Sequence, residues 1–395
     1  MEAVRDKDIL DIVQSLTPQI RAECREVDRR RALPPGIVDA LRDAGVFRLL
    51  APPDIGGAEI DPVTFLRVVE QTSYADGSVG WCVLIGGCYS TFGGLLPLEG
   101  AREIYGNPRT ITAGAFRPAG IAQRVDGGYL VSGRWQLGSG SSHADWFLGG
   151  CTVTDGDQPI MTPSGRPLAR EMFFPATAVE VIDTWESTGL RGTASHDYAV
   201  SNVFVPEHRT LWFSDAPRCD RPLYQMPVVG MFATYVAAVP LGIGRLALEA
   251  FMRLATEKTV TASPSLLADK PIAHATLGRA HALVTDGRRN LIGTLTELWE
   301  RVQNGHRPTL PEHASLWVAA TQAAQGALDA INMLYAAAGA SSVYATCPLD
   351  RCLRDARTAI QHIVLQEANF EHHGRELLAR GGPPGPWIID YRGPG

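Results

Sequence analysis

Apolar residues recur along this chain at two different spacings, and the switches between them divide it into three stretches. From about residue 5 to 106 the spacing is helical. Pro34-Pro35 opens a segment with Ile37, Leu41 and Ala44 on one side, and Gly45 ends it. After the Gly56-Gly57 turn, Phe65, Val68 and Val69 share a helical face, and Asp76-Gly77-Ser78 introduces a mostly apolar run from Val79 to Ile85. Between about 109 and 222 the period becomes two: Tyr129, Val131, Gly133, Trp135 and Leu137 alternate with Leu130, Ser132, Arg134 and Gln136. Val200 and Asn202 against Ser201, Val203 and Val205 read as another strand, ended by Pro206, and Gly127-Gly128 suits a hairpin turn. From about 223 helices return. Ala320, Ala324, Ala327, Ile331, Leu334 and Ala338 form a stripe suited to close helix packing, and Pro308 to Pro311 reads as a connector. The predicted fold is α+β in three parts: an N-terminal helical domain (1–108), an antiparallel β-sheet domain (109–222) and a C-terminal helical bundle (223–395).

Composition narrows the class. A chain of 395 residues, 45% apolar and 20% charged, can bury a large core in two or three packed units. A net charge of −6 with no long basic run gives no footprint for nucleic acid, and Arg288-Arg289 reads as a solvated face. The longest apolar run, Val228 to Gly244, is interrupted by Thr234, Tyr235 and Pro240 and reads as a buried helix rather than a span of about 20 residues. The first residues, Met-Glu-Ala-Val-Arg-Asp-Lys-Asp, lack a signal-peptide pattern. Seven cysteines without a Cys-x-x-Cys pair argue against a disulfide framework or a zinc knuckle, and a reducing cytosol is expected. No His, Cys and carboxylate spacing supports a metal.

Four motifs carry candidate chemistry. Gly242-Ile-Gly244-Arg-Leu-Ala247 matches a dinucleotide fingerprint, but that motif requires a preceding strand and the residues before it read as helix. In Trp135-Gln-Leu-Gly-Ser139-Gly-Ser-Ser-His143-Ala-Asp-Trp146, continued alternation puts Ser139 on the face of Trp135, with glycines on both sides to admit a flat ligand. The plainer alternative is a turn that the serine merely caps. Trp185-Glu-Ser-Thr-Gly189-Leu-Arg-Gly192-Thr-Ala-Ser195 can offer backbone N–H groups and hydroxyls to a phosphate or ring edge, as many surface loops can. In Arg354-Asp-Ala-Arg-Thr-Ala-Ile-Gln-His362, helical geometry gathers His362, Gln366, Asn369 and His373 opposite Ile360, Val364 and Glu371. By itself that polar stripe is the wet side of a helix.

These motifs, together with Leu33-Pro-Pro-Gly-Ile-Val-Asp-Ala-Leu-Arg-Asp-Ala-Gly-Val-Phe and Asp76-Gly-Ser-Val-Gly-Trp81, make nearly the whole chain resemble the acyl-CoA dehydrogenase superfamily. Many dehydrogenases of that superfamily carry a catalytic glutamate about two turns after an Arg-Asp-Ala signature. Here that neighbourhood is Gln361, His362, Ile363 and Val364. The missing carboxylate, Ser139 and His362 are instead similar to the two-component flavin-dependent monooxygenases built on the same fold. The Cys88-Tyr89-Ser90 stretch departs from several phenol-hydroxylating relatives, which carry a substrate-facing histidine in that neighbourhood. Glu257 to Pro264 lacks the dehydrogenases' FAD-holding Arg-x-x-Phe-Gly segment, which suits a flavin that arrives reduced and departs oxidised.

The resemblance implies an oxygenase that takes FMNH2 or FADH2 from a separate NAD(P)H:flavin reductase. With O2 it would oxygenate an aromatic, heteroaromatic, amine or sulfur-containing small molecule through a flavin C4a-hydroperoxide. By the same analogy Ser139 and His362 are catalytic, His362 moving a proton with an ordinary pKa near 6.5. Thr112, Ala113, Leu137, Ser139, Trp185, Ser195, Gly339, Ala340 and Ser341 border the flavin, and the assembly is a cytoplasmic homotetramer. Two alternatives stay open: an FAD-dependent acyl-CoA dehydrogenase with a displaced base, and a catalytically silent flavin-binding homologue.

Overall fold

A computed structural model describes residues 6–163, 165–213, 215–259 and 265–378. Residues 260–264, the end of the Glu257–Pro264 stretch that lacks an FAD-holding pattern, lie outside them. Helices come first: α1 (Asp6–Ser15), α2 (Thr17–Ala22), α3 (Cys24–Arg30), α4 (Pro35–Asp43), α5 (Pro62–Ala75), α6 (Gly77–Tyr89) and α7 (Leu98–Tyr105). Strands follow: β1 (Thr112–Val125), β2 (Gly128–Gly138), β3 (Trp146–Asp155), β4 (Gln158–Pro159), β5 (Ala169–Pro175), β6 (Glu180–Ile182), β7 (His196–Pro206) and β8 (Thr210–Leu211). Helices then return as α8 (Pro222–Gln225), α9 (Val228–Glu257), α10 (Pro271–Gln303), α11 (Leu310–Ala338), α12 (Pro348–Ala359) and α13 (Ala368–Leu377).

Local signals set many of these boundaries. Gly45, after α4, has φ +71°, which suits a residue without Cβ. Asp61 accepts the Thr64 N–H to cap α5, and Asp76 accepts those of Ser78 and Val79 to cap α6. The expected stripe on α11 is buried throughout. Helix α9 is long and apolar enough to cross a membrane, but 89% of its most apolar window is buried inside the protein, so it is the core helix of the bundle. The Gly242-x-Gly244 motif lies within it. Arg288 is not simply solvated: with Arg245 it binds the buried Glu70 carboxylate, at 2.8 and 3.1 Å. These groups line a cavity of about 580 Å³ to which neither Ser139 nor His362 contributes.

The sheet order is β6-β7-β2-β1-β3-β5-β8, with β4 beside β3. It departs from the all-antiparallel expectation at one pair, because β1 and β3 run parallel. Strand β2 lies on one side of β1 and β3 on the other, so residues 139–145 must cross the end of the sheet where β1 begins. That crossing holds the Ser139 motif. Alternation holds from Tyr129 to Trp135 and then fails, since Leu137 has φ +62° and is 62% exposed. It fails in β7 as well. Asn202, at φ +51°, sits in a bulge, so Val200 and Val205 both turn inward although five positions apart.

Trp135 fills the sheet interior, stacked on Tyr198 with centroids 5.3 Å apart and donating to the Gly150 carbonyl at 2.8 Å. Gly120, Gly133 and Gly149 make room for its ring, and a Cβ on Gly149 would stand 2.5 Å from the indole. Gly149→Ala is therefore expected to cost about 1–3 kcal/mol through overpacking, read as a lower denaturant midpoint with an unchanged m-value.

Candidate active site

Helix α6 is buried along its whole length, so the indole N–H of Trp81 needs an internal acceptor. It finds one in Ser139 Oγ, at 2.9 Å. Ser139 reaches that position because the left-handed backbone at Leu137 ends the strand's alternation, and a tight turn follows, closed by Ser141 N–H on the Gly138 carbonyl. Trp135 therefore points into the sheet and Ser139 toward α6, not onto a shared face. The crossing loop is tied down where it enters β3. Asp145 accepts the Ile111 N–H at 2.8 Å, which sets Thr112 and Ala113 beside the loop, and Arg42 binds Asp145 at 2.9 Å. Ala113 is fully buried in the sheet interior, so its backbone alone can face a ligand.

The Trp185–Ser195 loop packs against this turn. Ser195 Oγ lies 2.8 Å from Ser139 Oγ and 2.6 Å from Thr193 Oγ1, and Thr193 Oγ1 donates to the Leu190 carbonyl at 2.8 Å. Gly140 N–H donates to the Thr193 carbonyl at 2.7 Å, and Ser141 Oγ to the Ala194 carbonyl at 2.6 Å. Leu190 and Ala194 both adopt positive φ, so four residues with left-handed backbone (Leu137, Gly140, Leu190, Ala194) meet where two turns interlock. Such strain persists only where surrounding contacts hold it. Trp185 is half-buried. Its indole donates to the Leu190 carbonyl at 3.1 Å, and its backbone N–H to His196, the residue opposite Gly138.

The Arg-Asp-Ala signature anchors that loop. Asp355, on α12, accepts the Leu190 N–H at 2.6 Å, and Gly189 packs so closely on the Arg354 carbonyl that a side chain there would collide. Burial raises the Asp355 pKa to about 7, against the opposing pull of Arg351. Arg351 in turn binds Asp76, the cap of α6, at 3.0 Å.

Helix α12 ends at Ala359, so the continuous polar stripe expected as far as His373 does not form. A 3-10 turn at Ile363–Leu365 replaces it and buries Val364 and Leu365. Asn369 turns inward to bond Thr321 and the Val364 carbonyl. The break swings His362 inward. Its ring packs against Trp81 (centroids 5.8 Å apart) and Phe232 of α9 (5.4 Å), away from the wet face. Its Nδ1 accepts the Val364 N–H at 3.3 Å, leaving the ring proton on Nε2. Burial pushes its pKa down to about 4, so the imidazole is neutral at pH 7.

Ser139 and His362 are thus joined through one indole. Ser195 belongs to the same group, Thr112, Ala113 and Trp185 adjoin it, and Leu137 stands exposed beside it. Gly339 and Ala340, in the turn after α11, are exposed, with Ser341 half-buried next to them, and among the described residues no hydrogen bond or ring contact joins them to the group. Trp81 and Thr193 stand within sequence motifs and Phe232 within the apolar run, but none of them is a site residue expected from the sequence. A tryptophan one turn inside an otherwise apolar helix was the available clue, because its N–H must be satisfied. Among the described residues, no cluster of three or more His, Cys, Asp or Glu is placed to hold a metal.

The surroundings fit a flat ring with one polar edge: hydroxyls at Ser139 and Ser195, apolar flanks at Leu137 and Trp185, and no formal charge at the centre. The acyl-CoA dehydrogenase N-terminal domain profile matches residues 8–93, and the C-terminal domain profile residues 234–367. The indole-3-acetate monooxygenase of Pseudomonas putida is 32% identical over 367 residues, covering 92% of either chain. The chain belongs to the flavin-dependent monooxygenases of the acyl-CoA dehydrogenase family. This chain is also 29% identical to the oxygenase subunit HsaA of Mycobacterium tuberculosis, with 92% and 93% of the two chains covered. The crystal structure of HsaA superposes with a TM-score of 0.88 over 97% of this chain and all of that one. XiaF from Streptomyces, solved with FADH2 and glycerol, gives 0.88 at 26% identity, covering 96% of each chain.

Proposed function

We propose that the monooxygenase is the oxygenase component of a two-component system, using reduced FMN or FAD and O2 to oxygenate an aromatic or heteroaromatic small molecule, or an amine or sulfur compound. The observation that carries this reading is the Trp81 bridge, which puts a neutral imidazole and a buried hydroxyl, and no carboxylate, at the centre of the site. When bound, the reduced flavin supplies the electrons that activate O2. Ser139 and Ser195 hold the polar edge of the ring, Leu137 and Trp185 its faces, and Thr112 and Ala113 its approach. His362 donates its Nε2 proton as a hydrogen bond to the oxygen that gains charge during transfer. Buried Trp81 and Phe232 keep water from that oxygen.

Substrate chemistry follows from the wall beyond His362. Phe232 stacks edgewise on Phe116 at 5.7 Å, and Phe116 on Phe213 at 5.1 Å, a row of uncharged rings suited to a planar apolar molecule. Exposed Val343 and Tyr344, beside Gly339–Ser341, suit contact with another copy, so those three residues would reach a flavin held by the adjoining protomer of a homotetramer. The seven free cysteines suit a reducing cytosol, and the reduced flavin comes from a separate NAD(P)H:flavin reductase.

Labelled oxygen tests the reading. With added reductase, NADH, flavin, 18O2 and an indole or phenol probe, one labelled atom is expected in the product, and none without reductase. FAD retained through purification and bleached by an acyl-CoA without oxygen would establish the dehydrogenase alternative instead.

A further inference from the structure

The hydroxyl row at the site has a fixed direction. Thr193 has one hydroxyl proton, and it is committed to the Leu190 carbonyl at 2.8 Å, because two oxygens that close without a proton between them would repel. Thr193 can therefore only accept from Ser195, which lies 2.6 Å away. Ser195 has then used its own proton and can only accept from Ser139 at 2.8 Å. Ser139 in turn accepts the Trp81 N–H at 2.9 Å. Every proton in the row runs one way, from Trp81 through Ser139, Ser195 and Thr193 to Leu190. The terminal carbonyl is held in place because the Leu190 N–H is bound by Asp355.

Ser139 is left with no proton to offer a ligand and one lone pair still free. A reduced isoalloxazine carries an N–H on its central ring where the oxidised ring carries only a lone pair. We infer that Thr193 is a positioning residue that fixes Ser139 as a hydrogen-bond acceptor, and so makes the site select reduced over oxidised flavin. The inference rests on the reading of Ser139 as a contact to the flavin edge. It deepens that reading by giving a physical reason why the flavin enters reduced and leaves oxidised. Against oxidised flavin the Ser139 lone pair faces another lone pair, an unsatisfied buried contact that weakens binding by about 10- to 100-fold.

The test is binding, measured anaerobically for reduced FMN or FAD and in air for the oxidised forms. The wild-type protein is expected to bind the reduced form at least about tenfold more tightly. Thr193→Val keeps the shape but removes the acceptor for Ser195. The Ser195 proton then turns to Ser139, the Ser139 proton is released toward the ligand, and the affinity ratio is expected to fall to about one or invert. Ser195→Ala should do the same, and Thr193→Ser should restore the ratio. Trp81→Phe removes a donor to Ser139 and no acceptor from the row, so it should shift both affinities together and leave their ratio within about threefold.

A wild-type ratio near one, or a ratio unchanged in both Thr193→Val and Ser195→Ala, overturns the inference. If Thr193→Val does not fold, Ser195→Ala decides it alone. A Ser139→Ala protein that binds both redox forms as wild type does would instead overturn Ser139 as the flavin contact, a different failure with a different signature.

Discussion

Replacing His362 with alanine is expected to lower product formation by about 10²–10³-fold while flavin affinity changes little. The imidazole is held as a neutral donor, its Nδ1 occupied by the Val364 N–H and its pKa depressed to about 4. A residue working by protonation and deprotonation near its ordinary 6.5 would put an acidic limb in the rate profile around that value. A neutral donor adds no limb of its own between about pH 5.5 and 8, and a midpoint near 6.5 that vanishes in His362→Ala would refute this account. The same burial links to stability. His362 stays neutral in the folded chain down to about pH 4, as does His143, whose pKa burial and Arg42 also lower to about 4. The unfolded chain protonates both from 6.5 downward. The stability they contribute is thus complete above about 6.5 and is lost as pH falls toward 4, while buried Asp355, raised to about 7, changes the other way, so across that window the thermal midpoint of the wild-type protein should fall relative to that of His362→Ala.

How far the sequence foretold this arrangement depends on the range of the forces involved. Periodicity marks α5, the α11 stripe and β2 from Tyr129 to Trp135, because each reflects one face meeting one core. It fails at Leu137 and Asn202, where residues with side chains take left-handed backbone that glycine or turn patterns do not announce. It fails at His362 for another reason. Residues 360–373 contain no proline, and their one glycine-free polar pattern suits a continuing helix, but burial of Val364 and Leu365 overrides it and breaks the helix. The parallel pairing of β1 with β3 is likewise invisible in alternation, which is the same for either direction. Family resemblance supplied Ser139, Ser195 and His362 without the reason for them. That reason is long-range: Trp81 lies 58 positions from Ser139 in the chain, and no local pattern pairs them.

The Arg-Asp-Ala signature shows how a motif shared with dehydrogenases serves a site without their base. Asp355 holds the loop carrying Thr193 and Ser195, Arg351 holds the cap of the helix carrying Trp81, and His362 follows about two turns later. One helix thereby fixes three sides of the site, whatever group follows it.

Ser139→Ala should be the second most damaging substitution, lowering product per O2 consumed by about tenfold or more and raising hydrogen peroxide in proportion. On the proposed function it removes the acceptor for the flavin edge, and it also strands the Trp81 N–H in a buried helix, which costs about 1–3 kcal/mol of stability. The two effects separate in the double variant. Trp81→Phe added to Ser139→Ala deletes both partners of the 2.9 Å bond, leaving no buried donor unpaired, so the thermal midpoint should recover toward wild type. Product yield should not recover if Ser139 contacts the flavin as proposed, since its oxygen is still absent. Recovery of both together would mean that Ser139 acts only by supporting Trp81, and the hydroxyl would lose its place in the chemistry.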